Sequence, residues 1–98
     1  MRVGKAIEEF AERMQTKIDK NRYKRDSIMN PNGRERKWSH CTPEWLLYRL
    51  RQETLELEEA IMNEDPEAVR DEAADVGNFA MMIHDNINQK ERDYENLR

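Results

Sequence analysis

Hydrophobic residues recur at helical intervals in three stretches of the chain. Val3, Ile7, Phe10, Met14 and Ile18 follow one another at spacings of three and four, the stripe an amphipathic helix turns toward a core, and predict a first helix over about 2–19. Lys5, Glu8, Glu9, Glu12, Arg13 and Lys17 fall between them as a solvated face, with Lys17 near enough to the following loop to reach a ligand. From Asn21 to Cys41 the period lapses. Asn30-Pro31-Asn32-Gly33 is a turn signature, because asparagine bonds its own backbone, proline fixes φ and glycine accepts left-handed geometry. A long loop is expected over 21–41, with a short helical piece around Tyr23–Ile28.

Thr42-Pro43-Glu44 reads as a helix start: threonine caps, proline lacks an N–H the first turn does not use, and glutamate favours the positive end. Leu46, Leu47, Leu50, Thr54, Leu57 and Ile61 then share one stripe, which predicts a second helix over about 43–63. Asp65-Pro66-Glu67 repeats the start signal at once, so the second and third helices must be antiparallel neighbours. Val69, Ala73, Val76, Ala80, Ile83 and Ile87 form the third stripe, widened by Phe79, Met81 and Met82 as suits a helix with more than one neighbour. Residues 91–98 are expected to fray or to form a short terminal helix. The predicted fold is all-α: an antiparallel helical hairpin plus an N-terminal helix, in a bundle completed by oligomerisation.

Ninety-eight residues, 37% hydrophobic and 39% charged, fit one domain spanning 1–98. So short a chain buries a modest fraction of its surface, and packing against a second subunit as a dimer or tetramer is the expected remedy. One cysteine, Cys41, allows no internal disulfide, and the sequence holds no signal-peptide core or long apolar run, so the expected address is the cytoplasm, with no membrane contact. His40 and Cys41 are adjacent but join no cluster with a zinc spacing.

The net charge of −4 is unevenly spread. Residues 20–42 hold seven lysines or arginines against Asp26 and Glu35, while residues 51–75 hold ten carboxylates against Arg51 and Arg70. Within the acidic stretch, Glu53 and Glu56 lie three apart on the second helix, and Glu72 and Asp75 lie three apart on the third. Residues so spaced share a face, and the short connection at 63–65 brings the two doublets within reach of each other, with Glu53 and Glu72 nearest the buried side. Four partly buried carboxylates repel one another, and a hard divalent cation such as Mg²⁺, which takes carboxylate, water and phosphate oxygens, relieves them. The competing reading is that glutamate is simply a good helix former. Glu58, Glu59, Glu64, Glu67 and Asp71 are read as solvent-facing or capping.

Gln52-Glu53-Thr54-Leu55-Glu56-Leu57-Glu58-Glu59-Ala60, followed by Asp71-Glu72-Ala73-Ala74-Asp75-Val76-Gly77-Asn78, resembles the MazG-like branch of the all-α nucleoside triphosphate pyrophosphohydrolases over roughly residues 5–88. The resemblance implies Glu53 and Glu56 as metal ligands from one helix and Glu72 and Asp75 as ligands from the next. It further implies Mg²⁺-dependent cleavage of a nucleotide between its α and β phosphates, giving a monophosphate and pyrophosphate, in a dimer or a dimer of dimers. Gln52 stands where the family's motif often has glutamate.

In that reading Glu53 or Glu56 orients the attacking water. Phosphate contacts come from a pool of Lys17, Arg22, Lys24, Arg25, Arg34, Arg36 and Lys37, whose charges match phosphate oxygens. Trp38 offers a π face to a base, whereas Trp45 packs the loop onto the second helix. The amide of Asn78 either meets a base or sugar, as the resemblance implies, or sits at a helix interface. His84 is an interfacial or surface side chain. The alternative function is a catalytically weak or inactive helical scaffold that acts by oligomerisation or by binding a partner protein. Nucleic-acid binding is disfavoured because the acidic helices repel a phosphate backbone.

Overall fold

The computed structural model of the chain describes residues 2–21 and 37–97, the side chain of Lys37 excepted, and among these all regular structure is helical. Helix α1 spans Lys5–Asn21, a 3₁₀ turn spans Lys37–His40, α2 spans Pro43–Met62 and α3 spans Pro66–Asn96. Both long helices start as their sequences dictate. Thr42 Oγ1 accepts from the Trp45 N–H at 3.1 Å and Asp65 Oδ1 from the Ala68 N–H at 3.2 Å, each with proline in the first turn.

The connection between α2 and α3 is a Schellman turn. Glu64 N–H donates to Ile61 O at 3.1 Å and Asp65 N–H to Ala60 O at 3.4 Å, which puts Glu64 in the left-handed region at φ 53°. That conformation costs a side-chain-bearing residue on the order of 1 kcal/mol. Glu64→Gly is therefore expected to raise unfolding stability by about 0.5–1 kcal/mol, read from the urea midpoint.

Helix α3 packs against α2, α1 and the 3₁₀ turn. Its breadth of apolar surface serves the several neighbours that the sequence predicts. The core lies at the open end of the hairpin, where Trp38, Leu46, Phe79 and Met82 meet, with Cys41, Leu50, Met81 and Ile83 around them. Buried Asn86 clasps the 3₁₀ turn there, donating from Nδ2 to Trp38 O at 2.9 Å and Cys41 O at 2.8 Å. Helix α1 approaches α3 closely at Gly77, where a Cβ would lie 2.7 Å from the Phe10 ring.

Three expectations change. Residues 91–96 continue α3, supported by the Gln89–Asp93 side-chain bond at 3.1 Å and by the absence of any helix breaker. The α2 face turned inward includes Leu46, Glu53 and Ala60, while Leu47, Thr54 and Ile61 of the predicted stripe are exposed. On α3, Ala74, Asn78, Phe79, Met82 and Asn86 are buried, and Ala80 and Ile87 of the predicted stripe face out. The physical reason is the same in both helices: a hydrophobic count cannot see that buried polar side chains occupy the inward seam. The expected helical piece around Tyr23–Ile28 lies outside the described residues. No described helix is long and apolar enough to cross a membrane.

Candidate metal centre

Because α2 and α3 reverse at Glu64, Glu56 comes opposite Glu72, and Glu53 opposite Asp75. One carboxylate oxygen from each of Glu53, Glu56 and Glu72 lies within 4.8 Å of the other two. Glu53 is buried, Glu72 half-buried and Glu56 exposed, so the cluster runs from the interior to one carboxylate at the solvent edge. Glu72 Oε2 is shielded from solvent and has no hydrogen-bond partner among the described residues. An acceptor oxygen in that position costs about 1–3 kcal/mol unless something positive reaches it.

Asp75, the fourth residue of the two doublets, is half-buried beside this trio and faces α1, where Lys17 Nζ stands 3.3 Å from its Oδ2. Lys17 thus leaves the solvated face of α1 for the carboxylate site. Arg49, which sequence reading passes over, closes the opposite end. Its Nη2 donates to Glu53 Oε1 at 3.2 Å and its Nη1 to Gln52 Oε1, while the guanidinium lies 5.2 Å from the centre of the Phe79 ring. Gln52 Nε2 in turn donates to the Tyr48 hydroxyl at 3.0 Å. An arginine one turn ahead of a predicted ligand was the available signal.

The electrostatics report mutual repulsion in a dry place. Burial pushes the Glu53 carboxyl up to about 7; the adjacent Glu56, close enough to share the proton, and the Asp75 charge push the same way, while Arg49 opposes. Glu72 is raised by burial first and then by Glu56 and Asp75, with Lys17 opposing. Asp75 is raised by burial against the pull of Lys17. These are the conditions in which a hard cation favours the ionised carboxylates.

A protein of Archaeoglobus fulgidus described as uncharacterized is 40% identical over 63 residues, 64% of this chain and 68% of that protein. The chain belongs to the same family as this archaeal protein. No family model matches the chain, and no solved structure matches it.

Several residues assigned to substrate lie elsewhere. Trp38 is in the core, its indole N–H donating to Asp85 Oδ2 at 2.8 Å, so its faces pack against protein and offer no base platform; the polar residue that draws it inward is on α3. Trp45 keeps 42% of its surface exposed, and most of the loop it was expected to pack onto α2 lies outside the described residues. Asn78 is fully buried and its Nδ2 donates to Met14 O at 3.1 Å, the helix-interface alternative, with Oδ1 unpartnered. Arg22, Lys24, Arg25, Arg34 and Arg36 lie outside the described residues, as does the Lys37 side chain. Asp71 and Glu67, read as solvent-facing or capping, hold Arg13 at 3.0 and 2.8 Å. An open groove of about 320 Å³ runs between α1 and α3 there, lined in part by Arg13, Lys17, Lys20 and Asp71.

Proposed function

We propose that the chain is a Mg²⁺-dependent nucleoside triphosphate pyrophosphohydrolase of the MazG-like kind, releasing a monophosphate and pyrophosphate. The supporting observation is the convergence of Glu53, Glu56 and Glu72 from two antiparallel helices, with a shielded, unpartnered oxygen on Glu72. The donor set fits a hard ion, since all three groups offer carboxylate oxygen and no nitrogen or sulfur stands among them.

Glu53, Glu56 and Glu72 would hold the ion, which when bound lowers the pKa of a coordinated water and offsets charge at the attacked phosphorus. The chain's own groups divide the remaining work. Glu56, at the solvent edge, accepts a hydrogen bond from the attacking water and so orients it. Glu53 is held in place by Arg49 and excluded from solvent, which fixes its direction. Lys17, at the boundary between the carboxylates and the α1–α3 groove, is placed to meet a phosphate oxygen as well as Asp75. Pyrophosphate release from a panel of canonical and modified nucleoside triphosphates is expected with Mg²⁺ and lost with EDTA; a panel with no release at all would leave the scaffold reading in its place.

Self-association belongs to the same proposal. Val3, Ile7 and Phe10 of the N-terminal stripe, Leu55 and Ile61 on α2 and Ile87 on α3 present apolar surface that a second copy would cover. Those exposed side chains also favour the scaffold as runner-up. Sedimentation at micromolar concentration is expected to give a dimer or tetramer, and a compact monomer contradicts this part.

A further inference from the structure

The row of carboxylates is bracketed by two of the chain's own cations. At one end Lys17 is paired with Asp75, the two side chains only 20% and 15% exposed; at the other Arg49 is paired with Glu53, which is 10% exposed. Between them stand Glu56 and Glu72. Resting on the metal-site reading above, we infer that the site takes a single divalent cation per chain, because Lys17 and Arg49 serve as fixed counter-charges at its two ends.

Charge balance at the site favours one ion. Among the described residues, Glu53, Glu56, Glu72 and Asp75 bring four negative charges when ionised, Lys17 and Arg49 return two positive ones, and the remainder of two is what one divalent ion neutralises. A second such ion would leave the half-buried site with net positive charge, which desolvation penalises as strongly as the negative excess.

Geometry favours one ion as well. Arg49 is not a loose surface cation: Phe79 lies beneath its guanidinium, and Gln52 accepts from it while bonding Tyr48. A stacked, multiply bonded arginine gives up its carboxylate less readily than a lysine in water would. The neutral Gln52 adds no charge for a second ion to answer, and its carbonyl is spent on Arg49. At the other end, a metal bridging to Asp75 would have to displace an ammonium that is itself mostly shielded. Among the described residues of the site, an oxygen left without a partner is on Glu72, between the two ends. Lys17 and Arg49 therefore act as positioning residues that limit the number of ions, in addition to any contact Lys17 makes with phosphate.

The test counts ions bound to the full chain with no nucleotide present. Mn²⁺ serves as the paramagnetic probe, its free fraction read by electron paramagnetic resonance, with Mg²⁺ calorimetry in parallel. One equivalent per chain is expected for the wild type. Arg49→Lys keeps the charge and should also bind one. The Lys17→Met/Arg49→Gln double variant, checked for helix content by circular dichroism, should bind two. Two or more equivalents in the wild type overturn the inference, and that count needs no variant to fold. A folded double variant that still binds one equivalent overturns it too. Binding by neither metal overturns it together with the metal-site reading, which distinguishes that failure from a wrong count alone.

Discussion

Replacing Glu56 with alanine is expected to lower pyrophosphate release by about 100-fold, the upper end of the range of about 10–100-fold seen when a metal site loses even a supporting group. The residue is exposed, so truncation removes an oxygen from the trio without opening a cavity, and helix content should be unchanged. Glu58 and Glu59 are exposed on the same helix and outside the trio, so alanine at either should leave turnover within about twofold, as expected of surface substitutions away from a site. That pair separates loss of a ligand from loss of general negative charge. Turnover by Glu56→Ala equal to wild type would remove Glu56 from the chemistry.

The second large effect is on stability against pH. Without metal, Glu53 binds its proton up to about pH 7 in the folded chain, against an ordinary value of 4.5. Between those two pH values the folded state carries the extra proton, so stability falls as pH rises. The difference corresponds to about 3 kcal/mol at most across the window, and the upward shifts of Glu72 and Asp75 have the same sign. Glu67, lowered by Arg13, acts in the opposite sense, but its window lies below 4.5. With EDTA, the urea midpoint should therefore be higher at pH 5 than at pH 7.5. Saturating Mg²⁺ should cancel or invert the difference, because the ion binds the ionised carboxylates and displaces the proton. A metal-free protein more stable at pH 7.5 than at pH 5 would mean that the carboxylates do not repel one another as the geometry requires.

The helix starts, the tight hairpin and the mutual approach of the two acidic doublets were legible because each depends on local chemistry: a capping side chain, a proline, a fixed spacing. The inward faces were not. Asn78 and Asn86 occupy buried seam positions that hydrophobic periodicity assigns to leucine or valine, and their acceptability rests on partners distant in sequence: Met14 for Asn78, Trp38 and Cys41 for Asn86. The same distance hid the fate of Lys17 and Trp38. Lys17 was expected within reach of a ligand, but its pairing with Asp75 follows from α1 crossing α3, and the Trp38 ring looked open until half-buried Asp85 supplied an acceptor for its N–H. Arg49, one turn ahead of Glu53, was readable as a partner for that carboxylate, but its stacking on Phe79 across the hairpin was not.

The central claim is that Glu53, Glu56 and Glu72 form one cation site, and calorimetric titration of Mg²⁺ into the wild type, Glu56→Ala and Glu58→Ala tests it most directly. Wild type and Glu58→Ala are expected to bind measurably with similar affinity, and Glu56→Ala at least about tenfold more weakly. Equal affinity in Glu56→Ala and wild type, or heat no different from dilution in all three, would contradict that claim.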